Sequence, residues 1–399
     1  MRISTQQFFQ FNVNSMQQHT ASVSKTQSQL SSGLKLLMPA DDPNGATRIL
    51  GLEQRLATLE QYDRNTTQLE NNLRTEEAAV EQIHSVLDNA RERLVQINNG
   101  PHTQAEYKTF GGELAQMRDQ LRSLGNTQNA NGEFMFAGTA TDTQPFTRDA
   151  GSGYQYQGNQ QTRDIPVAAG RTIAYGDSGF DLFVDIFTGN QGVTASADTA
   201  NSGDGVIGYV GETSPGSYFG DHLRVVFNTP PDTYDLVDVA TVTTLSAGVS
   251  FTPGDTININ GASATLDGAP AAGDKFDFQS SQRQNLLTTF DALVSELQTA
   301  DSVGVTRLHN AINRGLENID AALEQSIAVR SRVGTRLESL DAVRDANQSF
   351  EISYQTTLSE IRDLDYNEAA ARLSAEVSAL EIAQASFARV QNLSLFNYL

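Results

Sequence analysis

The chain has no cysteine and no tryptophan in 399 residues, and its 27 Lys and Arg are outnumbered by 48 Asp and Glu. Without cysteine, disulfides, thiolate nucleophiles and Cys-ligated metals are excluded. A formal net charge of -21 excludes nucleic acid and anionic membrane surfaces as main partners, since both need concentrated Lys and Arg. No window approaches the roughly 18 apolar residues of a membrane span. The opening "MRISTQQFFQFNVNSMQQHT" also lacks the apolar run and small-residue cleavage site of a general secretory signal. A chain of this kind that leaves the cell must carry some other address. Only 38% of it is hydrophobic, which predicts elongated shapes with thin cores rather than one thick globule.

Chemistry-bearing constellations are also missing. The five histidines (His19, His84, His102, His222, His309) are scattered, with no pair at metal-ligand spacing, and they read as surface histidines. Asp41 and Asp42 have no histidine or further acid at ligand spacing, and the Gly-Asp pairs of the middle lack the full spacing of a calcium loop. No nucleophile motif occurs. The expectation is a protein that is not an enzyme, with no catalytic, cofactor-binding or metal residues and no cofactor.

Helical periodicity fills both ends. Phe9, Val13, Met16, Thr20, Val23, Gln27, Leu30, Leu34 and Leu37 step by four and three along one stripe. The surrounding Gln, Ser, Thr and Asn are poor helix formers, so packing against a partner must supply the stability. The free chain is therefore expected to be disordered over about residues 1–40 and 360–399. At Pro39, Asp41, Asp42 and Pro43 the stripe breaks: Asp42 suits an N-cap, Pro43 the first helical position, and both acids face the positive helix end. Leu73, Val80, Leu87 and Leu94 then recur every seven residues, with Glu76, Ile83, Ala90 and Ile97 three places after each. A helix running from Pro43 to Asn98 would be about 80 Å long. A second, antiparallel helix should bury Phe110, Leu114, Met117, Leu121 and Leu124.

From Gly132 to about Lys275, short alternating runs such as "HLRVVFN" and "DTININGASATL" are separated by turn signals such as "NTPPD" and "TPGD". They predict hairpins followed by a separate β-rich domain from about Thr188 to Ser280. Helices return with "NLLTTFDALVSELQ" and with a stripe of Ile312, Leu316, Ile319, Leu323, Ser326, Arg330, Val333, Leu337 and Leu340. The C-terminal stripe of Leu373, Val377, Leu380, Gln384, Phe387 and Val390 mirrors the N-terminal one, and each apolar seam needs a partner.

The stretch "QLSSGLKLLMPADDPNGATRIL" and the C-terminal "SEIRDLDYNEAAARLSAEVSALEIAQASFARVQNLSLFNYL" resemble the paired terminal signatures of bacterial flagellins. "RSRVGTRL", Arg330 to Leu337, resembles a further helix of the shared core. Within that superfamily, "NANGEFMFAGTATDTQPF" is similar to the hook-associated protein 3 family of hook–filament junction proteins, through Asn131, Gly132, Phe134, Phe136, Ala137, Gly138, Thr143, Pro145 and Phe146. "MRISTQ" and "LSLFNYL" also resemble that family more than flagellin. The resemblance covers helical parts of roughly the first 180 and last 115 residues, and the β-rich insert carries none of it.

The resemblance implies an α+β fold, an elongated flagellin-like helical bundle and coiled coil built from both chain ends, with β-hairpins and an inserted β-rich domain. The implied divisions are an N-terminal axial helix (1–42), a helical core with hairpins (43–187), the insert (188–280), returning core helices (281–356) and a C-terminal axial helix (357–399). It implies a structural part of the flagellum, exported by the flagellar type III route, that self-assembles in a ring between hook-associated protein 1 and flagellin. It further implies a cytoplasmic export chaperone on the C-terminal helix, two terminal assembly seams, and an elbow at Met38 to Asn44 leading outward from the axial tube. The alternatives are flagellin itself and, in another class, a glycan-binding surface protein. Flagellin should lack "EFMFAG…TQPF", and an insert without Trp and with few Tyr lacks the stacking aromatics of glycan sites.

Overall fold

In chain order the elements begin with α1 (Thr5–Ser32), α2 (Pro43–Asn98) and α3 (Gln104–Gly125). Two hairpins follow, β1 (Phe146–Asp149) with β2 (Gly153–Tyr156) and β3 (Asp164–Ala168) with β4 (Arg171–Ala174), then α4 (Gly179–Phe183) and β5 (Ile186–Phe187). The insert contains β6 (Val193–Ala197), β7 (Val206–Glu212), β8 (His222–Phe227), β9 (Thr233–Asp238), β10 (Thr243–Ser250), β11 (Thr256–Ile259), β12 (Ala262–Asp267) and β13 (Lys275–Ser280). The chain returns through β14 (Arg283–Gln284), α5 (Leu286–Gln298), α6 (Val305–Arg362) and α7 (Tyr366–Phe396). This computed structural model describes residues 5–149, 153–190, 192–214, 216–218, 222–300 and 304–396, with the side chains of Thr5, Gln6, Phe8 and 390–396 outside the description.

The chain divides into two compact units, Met1–Arg64 with Ala342–Leu399, and Asn65–Asp341. In the second unit the sevenfold repeat of α2 is a core. Leu73, Val80, Ile83, Leu87, Ala90, Leu94 and Ile97 are all buried, and α6 opposes them with Ile312, Ile319, Leu323, Val333 and Leu340. Burial of this kind contributes about 1.5–3 kcal/mol per large aliphatic side chain, and it holds a helix whose own mean propensity is modest.

Two expected stripes are rotated. The buried face of α3 is Tyr107, Gly111, Leu114, Arg118, Leu121 and Gly125, so Phe110, Met117 and Leu124 are only half-buried. Small Gly111 lets α3 approach α5 near Leu297, and Arg118 is drawn inward by Asp291 at 2.5 Å. On α6, Val329 takes the buried position and Arg330 is exposed.

The insert leaves and re-enters through a neck where β5 pairs antiparallel with β14 and the Thr188 N–H donates to Gln282 O at 2.8 Å. Its strands form a five-stranded antiparallel sheet, β10-β9-β8-β13-β6, and a three-stranded sheet, β11-β12-β7. Alternate residues share a separate core that includes Val225, Phe227, Ile259, Leu266, Phe276 and Phe278. Amides on α6 fasten the insert. Asn310 accepts from Ile207 N at 2.8 Å and donates to Gly205 O at 3.0 Å, Asn313 donates to Ile207 O at 2.7 Å, and Asn318 accepts from Gly189 N at 2.8 Å.

In the first unit α1 packs along α7. The helical stripe expected to run through Leu34 and Leu37 stops at Ser32, because Gly33 turns left-handed at φ +72° and Leu34 instead forms an antiparallel bridge with Asp363. Both residues beyond the stop are half-buried in non-helical chain. No helix among the described residues is long and apolar enough to cross a membrane.

Candidate functional site

Phe9 and Phe387 meet at the α1/α7 interface with ring centroids 5.2 Å apart. Beside them Val13, Met16, Gln17, Thr20, Ala21, Ser24 and Phe387 line an open, mostly apolar groove of about 500 Å³. Of the N-terminal seam, Val13, Met16, Val23 and Leu30 are half-buried and Phe9 remains 47% exposed. On the C-terminal seam Leu373, Leu380 and Phe387 are half-buried and Val377 is exposed, while the Val390 side chain lies outside the described residues. Each helix thus covers part of the other's stripe and leaves the rest in water. Exposed Ile382 on α7 adds to this apolar surface.

The elbow is built on Asp41. Its carboxylate takes the Lys25 ammonium at 2.6 Å and accepts from Leu37 N at 3.3 Å and Met38 N at 3.2 Å. The hydrogen bond from Lys25 holds this carboxyl below its ordinary range, with the two backbone donors adding to the effect. Asp42 accepts from Asn44 N at 3.1 Å and caps α2, with Pro39 and Pro43 exposed on the turn. Pro43 opens α2, where its missing N–H costs nothing.

The "NANGEFMFAG…TQPF" residues form a knot on the second unit. Phe136, Ala137 and Phe146 are fully buried, and Phe146 lies 4.6 Å from Phe183 and 5.2 Å from Tyr156 between ring centroids. Asn126 holds the Phe146 backbone from both sides, accepting its N–H at 2.8 Å and donating to its C=O at 3.0 Å. The Tyr156 hydroxyl donates to Phe136 O at 2.9 Å. A Cβ at Gly125 would sit 2.7 Å from Phe146, so the helix end must be glycine for the ring to lie there. Asn131 and Gly132 form the tip of the turn, exposed, with Gly132 at φ +80°, and Phe134 is half-buried. Gly138 is left-handed against Asn159. Pro145 is buried and its carbonyl accepts from Gln157 N at 2.8 Å.

Next to the knot lies an acid that spacing places in the core without saying why. Glu76 is 1% exposed and accepts from Asp177 N at 2.7 Å, while its second oxygen has no protein partner. Burial, reinforced by the Asp177 charge, pushes its carboxyl up to about 8. Asp177, itself buried, is clamped by Arg336 at 2.9 Å and Arg332 at 3.3 Å. This cluster pins the strap carrying the hairpins to α2 and α6.

The histidines are less exposed than their scatter predicts. All five are half-buried; His84 contacts Ser326 Oγ at 2.8 Å and His222 contacts Asp277 at 2.8 Å. His309, 3.5 Å from the Tyr107 hydroxyl, is held low by burial. Among the described residues no group of three or more His, Asp or Glu is arranged to hold a metal. The first unit presents incompletely covered helix seams, and the second unit is well packed.

The bacterial flagellin N-terminal helical region matches residues 3–141 and the bacterial flagellin C-terminal helical region matches residues 316–399. Flagellar hook-associated protein 3 of Escherichia coli (strain K12) is 24% identical over 402 residues, spanning 99% of each chain. The crystal structure of Xanthomonas campestris FlgL superposes with a TM-score of 0.71 at 28% identity, over 77% of this chain and 99% of that one. The flagellar filament 41 kDa core protein of Borreliella burgdorferi is 28% identical over 113 residues only, 28% of this chain and 34% of its own. These relatives are structural flagellar proteins. With both its ends matched by the flagellin helical regions, which together span more than half of it, the chain belongs to the flagellin family, and within that family it is similar from end to end to flagellar hook-associated protein 3.

Proposed function

We propose that this chain is a structural component of the bacterial flagellum at the junction between hook and filament, where it supports filament attachment and swimming. One observation carries the reading: similarity to hook-associated protein 3 runs along 99% of both chains, whereas the Borreliella filament protein matches only 28% of this one. The buried Phe136–Phe146 knot supports a structural role for the residues that resemble the junction family, since it fastens the hairpin strap to the helical core.

In this reading the seams Phe9, Val13, Met16, Val23, Leu30, Leu34 and Leu373, Val377, Leu380, Phe387, Val390 contact neighbouring subunits in a ring. Hook-associated protein 1 lies on the hook side and flagellin on the other. Before export by the flagellar type III route, a cytoplasmic chaperone covers the C-terminal seam. The expected boundaries of the insert, 188–280, and of the axial helices, 1–42 and 357–399, mark parts with separate roles, the insert lying outside the assembly seams. Support comes from the exposed apolar surface of α1 and α7, which water alone would not favour.

Electron microscopy with antibody to the insert tests the reading in the native flagellum. Label confined to a band at the hook tip, and hooks without filaments in a deletion strain, are the expected results. Label along the whole filament would return the flagellin reading, and normal filaments in the deletion strain would remove the junction role.

A further inference from the structure

Two breaks in the helices lie side by side in the first unit. One is the α1-to-α2 elbow, the other the short interruption between α6 and α7. They are joined by backbone. Lys35 N donates to Arg362 O at 2.8 Å, Leu364 N donates to Gly33 O at 2.9 Å, and Leu34 and Asp363 are bridge partners. Side chains lock each strand of this clasp. Gln29 donates to Lys35 O at 2.6 Å, Lys25 reaches Asp41 at 2.6 Å, and Asp365 accepts from Asn367 N at 2.9 Å and Glu368 N at 3.2 Å, capping α7. The Tyr366 side chain covers Gly33, where a Cβ would come within 2.8 Å of its hydroxyl.

Burial along α1 and α7 is graded from this point. Among the described side chains, the buried residues of α1 are Thr26 and Gln29, at its clasp end, and that of α7 is Ala369, in its first turn. Farther out the seams are half-buried at best, and Phe9 and Phe387 touch across an open groove. Helix initiation is the costly step, because several residues must be fixed for one hydrogen bond. A sequence as poor in helix formers as α1 cannot meet that cost alone. The clasp meets it for both helices at once, by fixing the last turn of α1 and the first turn of α7 in register.

We propose that the clasp is the nucleus from which α1 and α7 wind together, so that order in either terminal helix depends on the break belonging to the other. Free chain should then be most ordered at the clasp and fray progressively toward both termini. This holds whether the seams outside it meet further copies or another protein.

Lys35→Pro tests the coupling with little other damage. The Lys35 side chain is exposed, and proline removes the N–H that reaches Arg362, at a position whose predecessor Leu34 lies in the antiparallel bridge. Lys35→Ala keeps the N–H and serves as the control. Hydrogen exchange on the full-length monomer, read by peptide, should show wild-type protection falling from residues 26–36 and 366–372 toward the ends. In the Lys35→Pro variant, exchange should quicken on the order of tenfold along α7 as well as α1. Peptides from Leu69 to Leu121 and the Lys35→Ala protein should be unchanged. Faster exchange confined to α1, unchanged exchange in both helices, or wild-type protection strongest near Phe9 and Phe387 would each overturn the proposal.

Discussion

The same heptad pattern ends in two different states. In the second unit Leu73, Val80, Leu87 and Leu94 are sealed to zero or near-zero exposure by α6 and by the strap, while in the first unit the stripes of α1 and α7 are shared and left half open. Periodicity alone does not distinguish them. What differs is how much of the chain shares each unit: the second unit also holds α3 packed on α5, two hairpins and an insert with its own core, whereas α1 packs on α7. An open stripe at both chain ends is a surface that further chains can complete, which is what assembly requires.

The comparison predicts the largest loss where closure is most complete. Phe146→Ala removes a fully buried ring from contact with Phe183 and Tyr156 and should destabilise the second unit by about 3–5 kcal/mol, read by urea unfolding. Phe387→Ala, in the half-open stripe, should change the same transition by less than about 1 kcal/mol. Equal losses would mean that the terminal pair is closed as tightly as the core.

The buried acid sharpens the contrast through pH. Burial holds the Glu76 carboxyl up at about 8 in the fold against about 4.5 for the same group in water, so the folded protein holds a proton that the unfolded chain releases. Its contribution is therefore complete below about pH 4.5 and is lost as pH rises toward 8, by on the order of a few kcal/mol across that window. Glu76→Gln keeps the acceptor for Asp177 N and removes the ionisation. The variant should unfold with a flatter pH dependence between 5 and 8 than wild type, and an unchanged slope would show that Glu76 is ionised in the fold.

Next in size is the fastening of the insert. Asn310→Ala leaves the buried Ile207 N–H and Gly205 C=O without this partner, at about 1–3 kcal/mol. Limited proteolysis of the insert should quicken while the helical core keeps its melting temperature. Those amides bear on the insert boundary too, because deleting about 190–278 would leave Asn310 and Asn313 without their insert partners. A clean deletion is expected to need apolar replacements there.

Much of this was legible in the sequence, for reasons that can be stated. The core of α2 follows from spacing, since Leu73, Val80, Leu87 and Leu94 repeat without interruption, and the β-rich character of the middle follows from its change in composition. The buried face of α3 was not legible because Gly111 and Arg118 carry no apolar signal; one is buried for close approach and the other for Asp291. Glu76 was placed by spacing among core positions, but its partner Asp177 lies 101 residues away, which no local pattern reports. The pairing of Leu34 with Asp363 is made by backbone groups and leaves no trace in residue type at all. Long-range polar contacts were lost, and apolar periodicity was kept.

The smallest effect on the free chain should come from the substitution with the most severe effect on assembly. Phe387 lines the open groove of the terminal pair, where the Phe9 ring meets it at a 47° tilt and is itself 47% exposed. A charge at that position in the monomer can turn toward water. Phe387→Asp should therefore shift the main unfolding transition by no more than about 0.5 kcal/mol. Once further helices close over the groove, the same carboxylate has no such escape, and an unpaired buried charge costs at least about 3 kcal/mol. The variant should melt as wild type does and fail to attach filaments in a complemented deletion strain. A melting temperature several degrees lower would place Phe387 in the core of the free chain. Normal melting with normal filaments would remove this residue from the seam, and would leave the contrast between the closed and open stripes to rest on α1 alone.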